Sequence, residues 1–327
     1  MELYPLKFTP ILHERIWGGN RLESKFGKNL NGKTNIGESW ELSAVEGNVS
    51  VVANGSLAGN SLQELIEIYM DEIVGEKVFK KYGNEFPLLI KFIDANDDLS
   101  IQVHPDDDKA AERHHAFGKT EMWVALDSDD DSQLITGFVC DTDKIEFVKK
   151  LNNGTLTDLL NYEKVEKGDA FFIPSGRVHA ICKNNLIAEI QQTSDITYRI
   201  YDYGRKDQQG NERELHLDNA LDVIDYKQVQ EPKIRYDMQQ NTPVELVSCN
   251  YFTTNLLELS KPVLRDYYKH DSFVIYICTK GECVVGAPDG EKITVKAGDT
   301  VLLPAALHQS EIKPLIQPTK LLEVYIK

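Results

Sequence analysis

The stretch Leu99-Ser-Ile-Gln-Val-His-Pro-Asp106 sets an amide and an imidazole two residues apart on an apolar background. Side chains on a strand repeat with a period of two, so Gln102 and His104 share one face while Ile101 and Val103 point to the other. Pro105 has no N–H to give a ladder and closes the strand. Alone, the pair fits a hydrogen-bonded polar contact inside a β-barrel as well as it fits a binding site. Two later strand-like runs add to it. Glu121 opens Glu121-Met-Trp-Val-Ala-Leu126, two residues after Lys119, and His179 closes Gly168-Asp-Ala-Phe-Phe-Ile-Pro-Ser-Gly-Arg-Val-His179. An amide, two imidazoles and a carboxylate, with no thiolate, suit a divalent zinc-like ion that keeps a coordination position open for substrate.

The 327 residues suffice for two domains or for one large β-domain with insertions. A hydrophobic content of 41% and a charged content of 27% are ordinary for a globular protein. The net charge of −16 argues against nucleic acid or an anionic membrane surface as partner, while a locally basic pocket could still take an anionic small molecule. Met1–Lys7 lacks the pattern of a secretory signal, and no apolar run approaches the roughly 20 residues that span a bilayer. A cytoplasmic location is therefore expected. Five scattered cysteines without a Cys-x-x-Cys pair read as reduced, mostly buried thiols.

Along the chain, residues 1–60 read as short antiparallel strands with Gly and Asn turns, among them 39–43 and 48–52. Ser61-Leu-Gln-Glu64 is a capping box, and Leu62, Leu65, Ile66 and Tyr69 follow at helical spacing, which predicts a helix to about residue 73. A second helix is expected over 76–82. The apolar run 86–93 is interrupted only by Lys91, so either Lys91 lines a pocket or the strand lies at a sheet edge. Residues 106–117 read as a surface helix stopped by Gly118, with His114 and His115 in water, and 142–151 and 156–160 as two more helices parted by Gly154. Alternation over 186–192 puts Glu189 and Gln191 on one face.

Beyond Pro232 and Pro243 the chain rebuilds a second β-unit. Gly298-Asp-Thr-Val-Leu-Leu-Pro304 with His308 echoes Gly168-Asp-Ala-Phe-Phe-Ile-Pro174 with His179, the mark of an internal repeat. The second copy has no Gln-x-His partner. His308 is therefore expected to be a relic or a packed core residue, and one metal is expected rather than two.

Together these residues resemble the class I mannose-6-phosphate isomerases, zinc enzymes of the cupin superfamily, in their short bacterial form. The likeness runs from Trp17-Gly-Gly19 through Leu215-His-Leu-Asp-Asn-Ala-Leu221 to a weaker C-terminal part. It implies a mainly β fold of two cupin-like β-barrel (jelly-roll) units with helical insertions. Residues 1–240 would form the catalytic unit and 241–327 a C-terminal unit without a complete metal site. In that family the metal is held by both residues of Gln-x-His, by the Glu after a Lys-x pair and by the His after Pro-x-Gly. These positions fall on Gln102, His104, Glu121 and His179, implying one Zn2+ per chain. The family's reactive arginine follows Ser-Asp, which points to Arg199 in Ser194-Asp195-Ile-Thr-Tyr-Arg199. Glu189 matches a pocket acid of the family, although by spacing alone it could face outward. The lysine at the place of Lys91 is tied there to the sugar phosphate.

The resemblance implies reversible conversion of mannose 6-phosphate to fructose 6-phosphate through an enediolate, with a phosphosugar as the partner. Such a reaction needs a proton shuttle, for which Glu189, Lys119 and a metal-bound water are the candidates. Arg199 suits the enediolate charge unless it pairs with Asp195 or Asp202. Lys91, Ser100 and Arg205, with Lys119, are assigned to substrate and its phosphate. Two other classes compete: an iron-dependent cupin oxygenase, against which Gln102 counts, and a non-catalytic sugar-sensing cupin, against which Arg199 counts. Oligomeric state is not legible.

Overall fold

Alternation around Gln102 does build a strand, Ile101–Val103, in the computed structural model, which describes residues 3–206 and 209–327. It belongs to a five-stranded antiparallel sheet ordered Tyr198–Tyr201, Ile101–Val103, His179–Ile181, Gln133–Phe138, Leu160–Lys164. Ile101 and Val103 are fully buried against Phe138, Phe147 and Tyr198, and Gln102 on the other face is half-buried. The strand stops before Pro105, as a residue without an N–H requires.

A seven-stranded sheet carries the rest of the N-terminal half. Its order is Lys233–Ile234, Ala170–Ile173, Glu121–Ser128, Asn185–Gln192, Leu88–Ala95, Ile36–Leu42, Ile11–Gly19. Leu88–Ala95 is an interior strand with every residue buried. That removes the edge-strand reading of Lys91 and leaves the pocket reading.

Residues 244–325 form most of an eight-stranded sheet, in which Val274–Gly286 and Gln309–Tyr325 are the long central pair. Leu6–Lys7 is the remaining strand: it pairs with Thr300–Leu303, with Leu6 opposite Leu302. The core crosses between the halves as well. One apolar cluster contains Leu6, Phe86, Leu88, Phe273, Leu302 and Val324, and the rings of Phe86 and Phe273 lie 4.6 Å apart. The mainly β class with helical insertions is as expected. His308 is not packed in a core; it is exposed, its ring 5.3 Å from that of Tyr268.

The helices follow their caps. Ser61 and Glu64 form both hydrogen bonds of the capping box at the start of Leu62–Tyr69. The helix does not continue to residue 73, because Met70 turns to φ 48° and a separate turn, Asp71–Val74, follows. The expected helix at 76–82 is Glu76–Tyr82. Asp106 caps Asp107–His114, and His115, rather than Gly118, takes the left-handed stop at φ 53°. Gly118 serves a close approach instead: a Cβ there would sit 2.5 Å from the Asp106 carbonyl carbon. Lys144–Asn152 is a helix and Leu156–Leu159 a 3₁₀ turn, with Gly154 left-handed at φ 70° between them. Residues 48–52 form no strand, only isolated bridges at Val51 and Val52.

Candidate active site

Two rows of side chains, one from each N-terminal sheet, define the site. Directly opposed residues in an antiparallel pair share a face. In the five-stranded sheet this register runs Arg199, Gln102, His179, Thr136. In the seven-stranded sheet it runs Trp123, Glu189, Lys91, Trp40, with Glu121 two residues before Trp123 and so on the same face.

The rows meet at three buried side chains. His104 Nε2 lies 3.6 Å from Glu121 Oε2, His179 Nε2 lies 3.5 Å from Glu121 Oε1, and the two imidazole rings are 4.7 Å apart. One ligand atom from each of the three can be chosen so that all lie within 4.8 Å of one another. Gln102 stands opposite His179 in the register and lines the adjoining cavity.

Whether these residues fit an ion is decided by their unmet bonds. Both Nε2 atoms and Glu121 Oε1 are buried without a hydrogen-bond partner, and Glu121 Oε2 meets only the Lys119 ammonium among the described residues; each unmet group costs on the order of 1–3 kcal/mol unless something else satisfies it. The Arg177 carbonyl, 2.8 Å from His179 Nδ1, can only accept, so Nδ1 carries the proton and the Nε2 lone pair faces Glu121. Burial, with Lys119 nearby, lowers the pKa of His104 well below its ordinary value. Burial likewise brings His179 to about 4. Both rings are therefore neutral and able to donate a lone pair. Burial, then the charge of Glu189, pushes Glu121 upward against the pull of Lys119 and Lys91. A divalent cation between the three would relieve each of these conditions.

Beside the trio opens a cavity of about 510 Å³. Lys91, Ser100, Gln102, Lys119, Glu189 and Arg199 all line it, so these sequence-derived candidates are brought together. Lys91 Nζ lies 3.1 Å from Glu189 Oε1 and 5.1 Å from the centre of the Trp40 ring. Trp123 Nε1 donates to Glu189 Oε2 at 3.0 Å, and Lys119 Nζ is 3.3 Å from Glu121 Oε2. Arg199 makes no ion pair among the described residues: Nη1 donates to the Glu214 carbonyl at 2.9 Å and Nε is buried without a partner. The pairing of Arg199 with Asp195 or Asp202 is thus not found.

Arg205 stands apart from the other candidates. Its guanidinium is turned to the Asp98 carbonyl and to Asp202, 2.5 Å away, and it does not line the cavity. A long flexible side chain on a turn takes its direction from such partners, which the sequence does not reveal. The cavity also holds residues that sequence reading missed: Arg15, Trp17, Glu38, Trp40, Thr197 and Arg213. Glu38 accepts from Arg15 at 3.0 and 3.1 Å and from Trp40 Nε1 at 2.7 Å. Its i, i+2 relation to Trp40 was a usable signal. Arg15 and Arg213 carried none.

Comparison with known proteins agrees with this geometry. Residues 5–130 match the family model for the catalytic domain of type I phosphomannose isomerase. A mannose-6-phosphate isomerase of Bacillus subtilis is 37% identical over 317 residues, which cover 96% of this chain and 97% of that one. The chain belongs to the type I phosphomannose isomerase family. A Streptococcus mutans mannose-6-phosphate isomerase is 36% identical over 92% of each chain. The crystal structure of a B. subtilis mannose 6-phosphate isomerase superposes with a TM-score of 0.88 at 34% identity, covering 99% of this chain and 100% of the other. The likeness to that structure extends over the whole of the mainly β architecture. As a member of this family the chain is an isomerase. Among the described residues no helix is long and apolar enough to cross a membrane.

Proposed function

We propose that the chain is a metal-dependent mannose-6-phosphate isomerase that interconverts mannose 6-phosphate and fructose 6-phosphate through an enediolate. The observation that carries this reading is the convergence of His104, Glu121 and His179, with both Nε2 atoms and Glu121 Oε1 unpartnered, beside a cavity overlooked by a guanidinium that has no ion pair among the described residues. Gln102, His104, Glu121 and His179 would hold one ion per chain, and nitrogen and oxygen donors without thiolate favour zinc. When bound, the ion supplies Lewis-acid stabilisation of the negative charge that grows on the sugar oxygens.

The protein's own groups divide the remaining work. Burial opposes ionisation of Glu189, but the charges of Lys91 and Lys119 outweigh it and hold its pKa below the ordinary value. Glu189 is therefore an available base for the proton that moves between C1 and C2. Burial likewise opposes the charge on Lys119, and Glu121 and Glu189 outweigh it, so this lysine stays protonated and donates toward a sugar oxygen. Arg199 stabilises the enediolate charge without giving up a proton. Lys91 and Ser100 contact the sugar. The ordering in the chain supports a catalytic unit over residues 1–240 and a C-terminal β-unit over 241–327 that covers an otherwise exposed apolar face. A chain of net charge −16 handling a phosphorylated metabolite fits the cytoplasm, and that charge argues against nucleic acid as a partner.

A coupled assay for fructose 6-phosphate formed from mannose 6-phosphate tests the reading. Turnover is expected in the metal-loaded protein and not after chelation, with recovery when zinc is returned. Activity that persists after complete metal removal refutes the metal-dependent mechanism. Absence of turnover in the fully loaded protein refutes the substrate.

A further inference from the structure

We propose that Arg213 binds the phosphate group of the substrate and that Asp202 positions it for this. The proposal rests on the phosphosugar reading above and deepens it by naming the anion site. Arg213 lines the same cavity as Gln102, Lys119 and Glu189. Its place is fixed by backbone. His216 N donates to the Arg199 carbonyl at 2.8 Å, Arg199 N donates to His216 Nδ1 at 3.2 Å, and the Arg199 guanidinium donates to the Glu214 carbonyl. The segment holding Arg213 is thereby laid along the strand of Arg199.

The charge at this corner differs from that in the rest of the cavity. Arg15, Lys91 and Lys119 each have a carboxylate partner within the site: Glu38, Glu189 and Glu121. Arg213 is held from behind. Nε donates to Asp202 Oδ2 at 2.7 Å and Nη2 to Asp202 Oδ1, while Asp202 is buried and does not line the cavity. That carboxylate also serves Arg205, whose Nη1 has Asp97 Oδ2 3.6 Å away, and Arg199, which has no ion-pair partner among the described residues, is a third guanidinium nearby. Asp195 lines the cavity too, but it is exposed and pairs with neither Arg199 nor Arg213. The corner therefore presents two planar, multi-donor groups, Arg199 and Arg213, to the cavity while the carboxylate that holds Arg213 stays outside the lining, which suits a phosphomonoester dianion.

The spacing suits a six-carbon substrate. Arg199 is two strands from His179 in the register, on the order of 10 Å at the usual strand separation. The segment of Arg213 flanks the outer edge of that strand, so a sugar whose reacting carbons lie between the histidines and Arg199 would direct its C6 phosphate beyond Arg199, toward Arg213. Arg213 thus takes the role that sequence reading gave to Arg205.

The test compares wild-type protein with Arg213→Gln, Arg213→Lys and Asp202→Asn, all metal-loaded and checked for unchanged metal content and thermal melting. Inorganic phosphate serves as a competing anion, and its binding is also measured directly by calorimetry. For Arg213→Gln, KM for mannose 6-phosphate and the inhibition constant of phosphate should both rise about tenfold or more, as loss of a charge-assisted hydrogen-bond pair implies, with a smaller change in kcat. Lysine at 213 should restore part of the loss, and Asp202→Asn should move KM in the same direction by less. Unchanged KM and phosphate affinity in folded Arg213→Gln would overturn the proposal. Phosphate binding that depends on Arg213 in a protein without isomerase activity would support the anion site and sink the activity instead.

Discussion

Replacing Glu189 by Gln separates the stability role of the buried pair from its chemistry. Lys91 is 5% exposed and Glu189 3%, and their charged atoms lie 3.1 Å apart. At an effective dielectric of 20 that distance corresponds to a Coulomb term of about 5 kcal/mol, and breaking a buried pair from one side costs about 3–5 kcal/mol. Glutamine relieves little of this. If its oxygen keeps the bond from Trp123, its NH2 group faces the Lys91 ammonium, a donor against a donor. The Trp40 face, 5.1 Å from Lys91 Nζ, recovers about 1–2 kcal/mol at best. Glu189→Gln should therefore lose roughly 3 kcal/mol in denaturant unfolding of the metal-loaded protein. Adding Lys91→Met, which removes the stranded charge, should restore stability to within about 1 kcal/mol of the parent, since an uncharged pair has nothing left unpaired. Isomerase activity should stay low in both. A single variant as stable as the parent would mean that cavity water already solvates the pair. A double variant with full turnover would remove the Glu189 carboxylate from the mechanism.

Other consequences follow from the same geometry. Arg199→Ala should keep its metal, by elemental analysis, while kcat falls at least about tenfold, as for a group acting in the transition state; loss of metal would make Arg199 structural instead. Glu121→Ala should purify without bound metal, and full zinc occupancy would strike Glu121 from the ligands. Burial opposes ionisation of Glu38, yet Lys91 and Arg15 outweigh it and hold its pKa at about 2 against an ordinary 4.5. The folded state thus binds fewer protons than the unfolded, so the stabilisation is fully present above about pH 4.5 and is lost as pH falls through about 2. Glu38→Gln should destabilise the protein at pH 7 and progressively less toward pH 2; an equal deficit at both would refute the ionic account. Ending the chain after residue 240 should strip Phe273, Leu302 and Val324 from the shared apolar cluster and yield aggregated protein; a soluble, monodisperse fragment would show that the first unit stands alone.

What could be read from the sequence was what local periodicity determines. Alternation placed Gln102 beside His104 and Glu189 beside Gln191, and the capping box located the start of Leu62–Tyr69 to the residue. The interrupted apolar run pointed Lys91 to a pocket, and the family resemblance implied Arg199, with Lys119 a candidate beside the matched Glu121; all three line the cavity. The failures lie where distant chain segments decide. The helix expected to reach residue 73 breaks at Met70, and the Glu72 and Ile73 carbonyls beyond the break accept from Ala306 and Ala305 of the C-terminal unit. No local pattern reports that contact. Arg205 and Arg213 both lie in polar sequence after the strand of Arg199, and only the fold decides which of them faces the cavity.

The pairing of Leu6 with Leu302 has a bearing on how the molecule assembles as it is made. The hydrogen-bonding groups of Leu6–Lys7 are matched by Thr300–Leu303, far along the chain, so they must wait in water until that distant segment has been made. Joining two such distant points is an entropically slow step. The eight-stranded sheet therefore closes late, and until then its unpaired strands offer open edges to other chains.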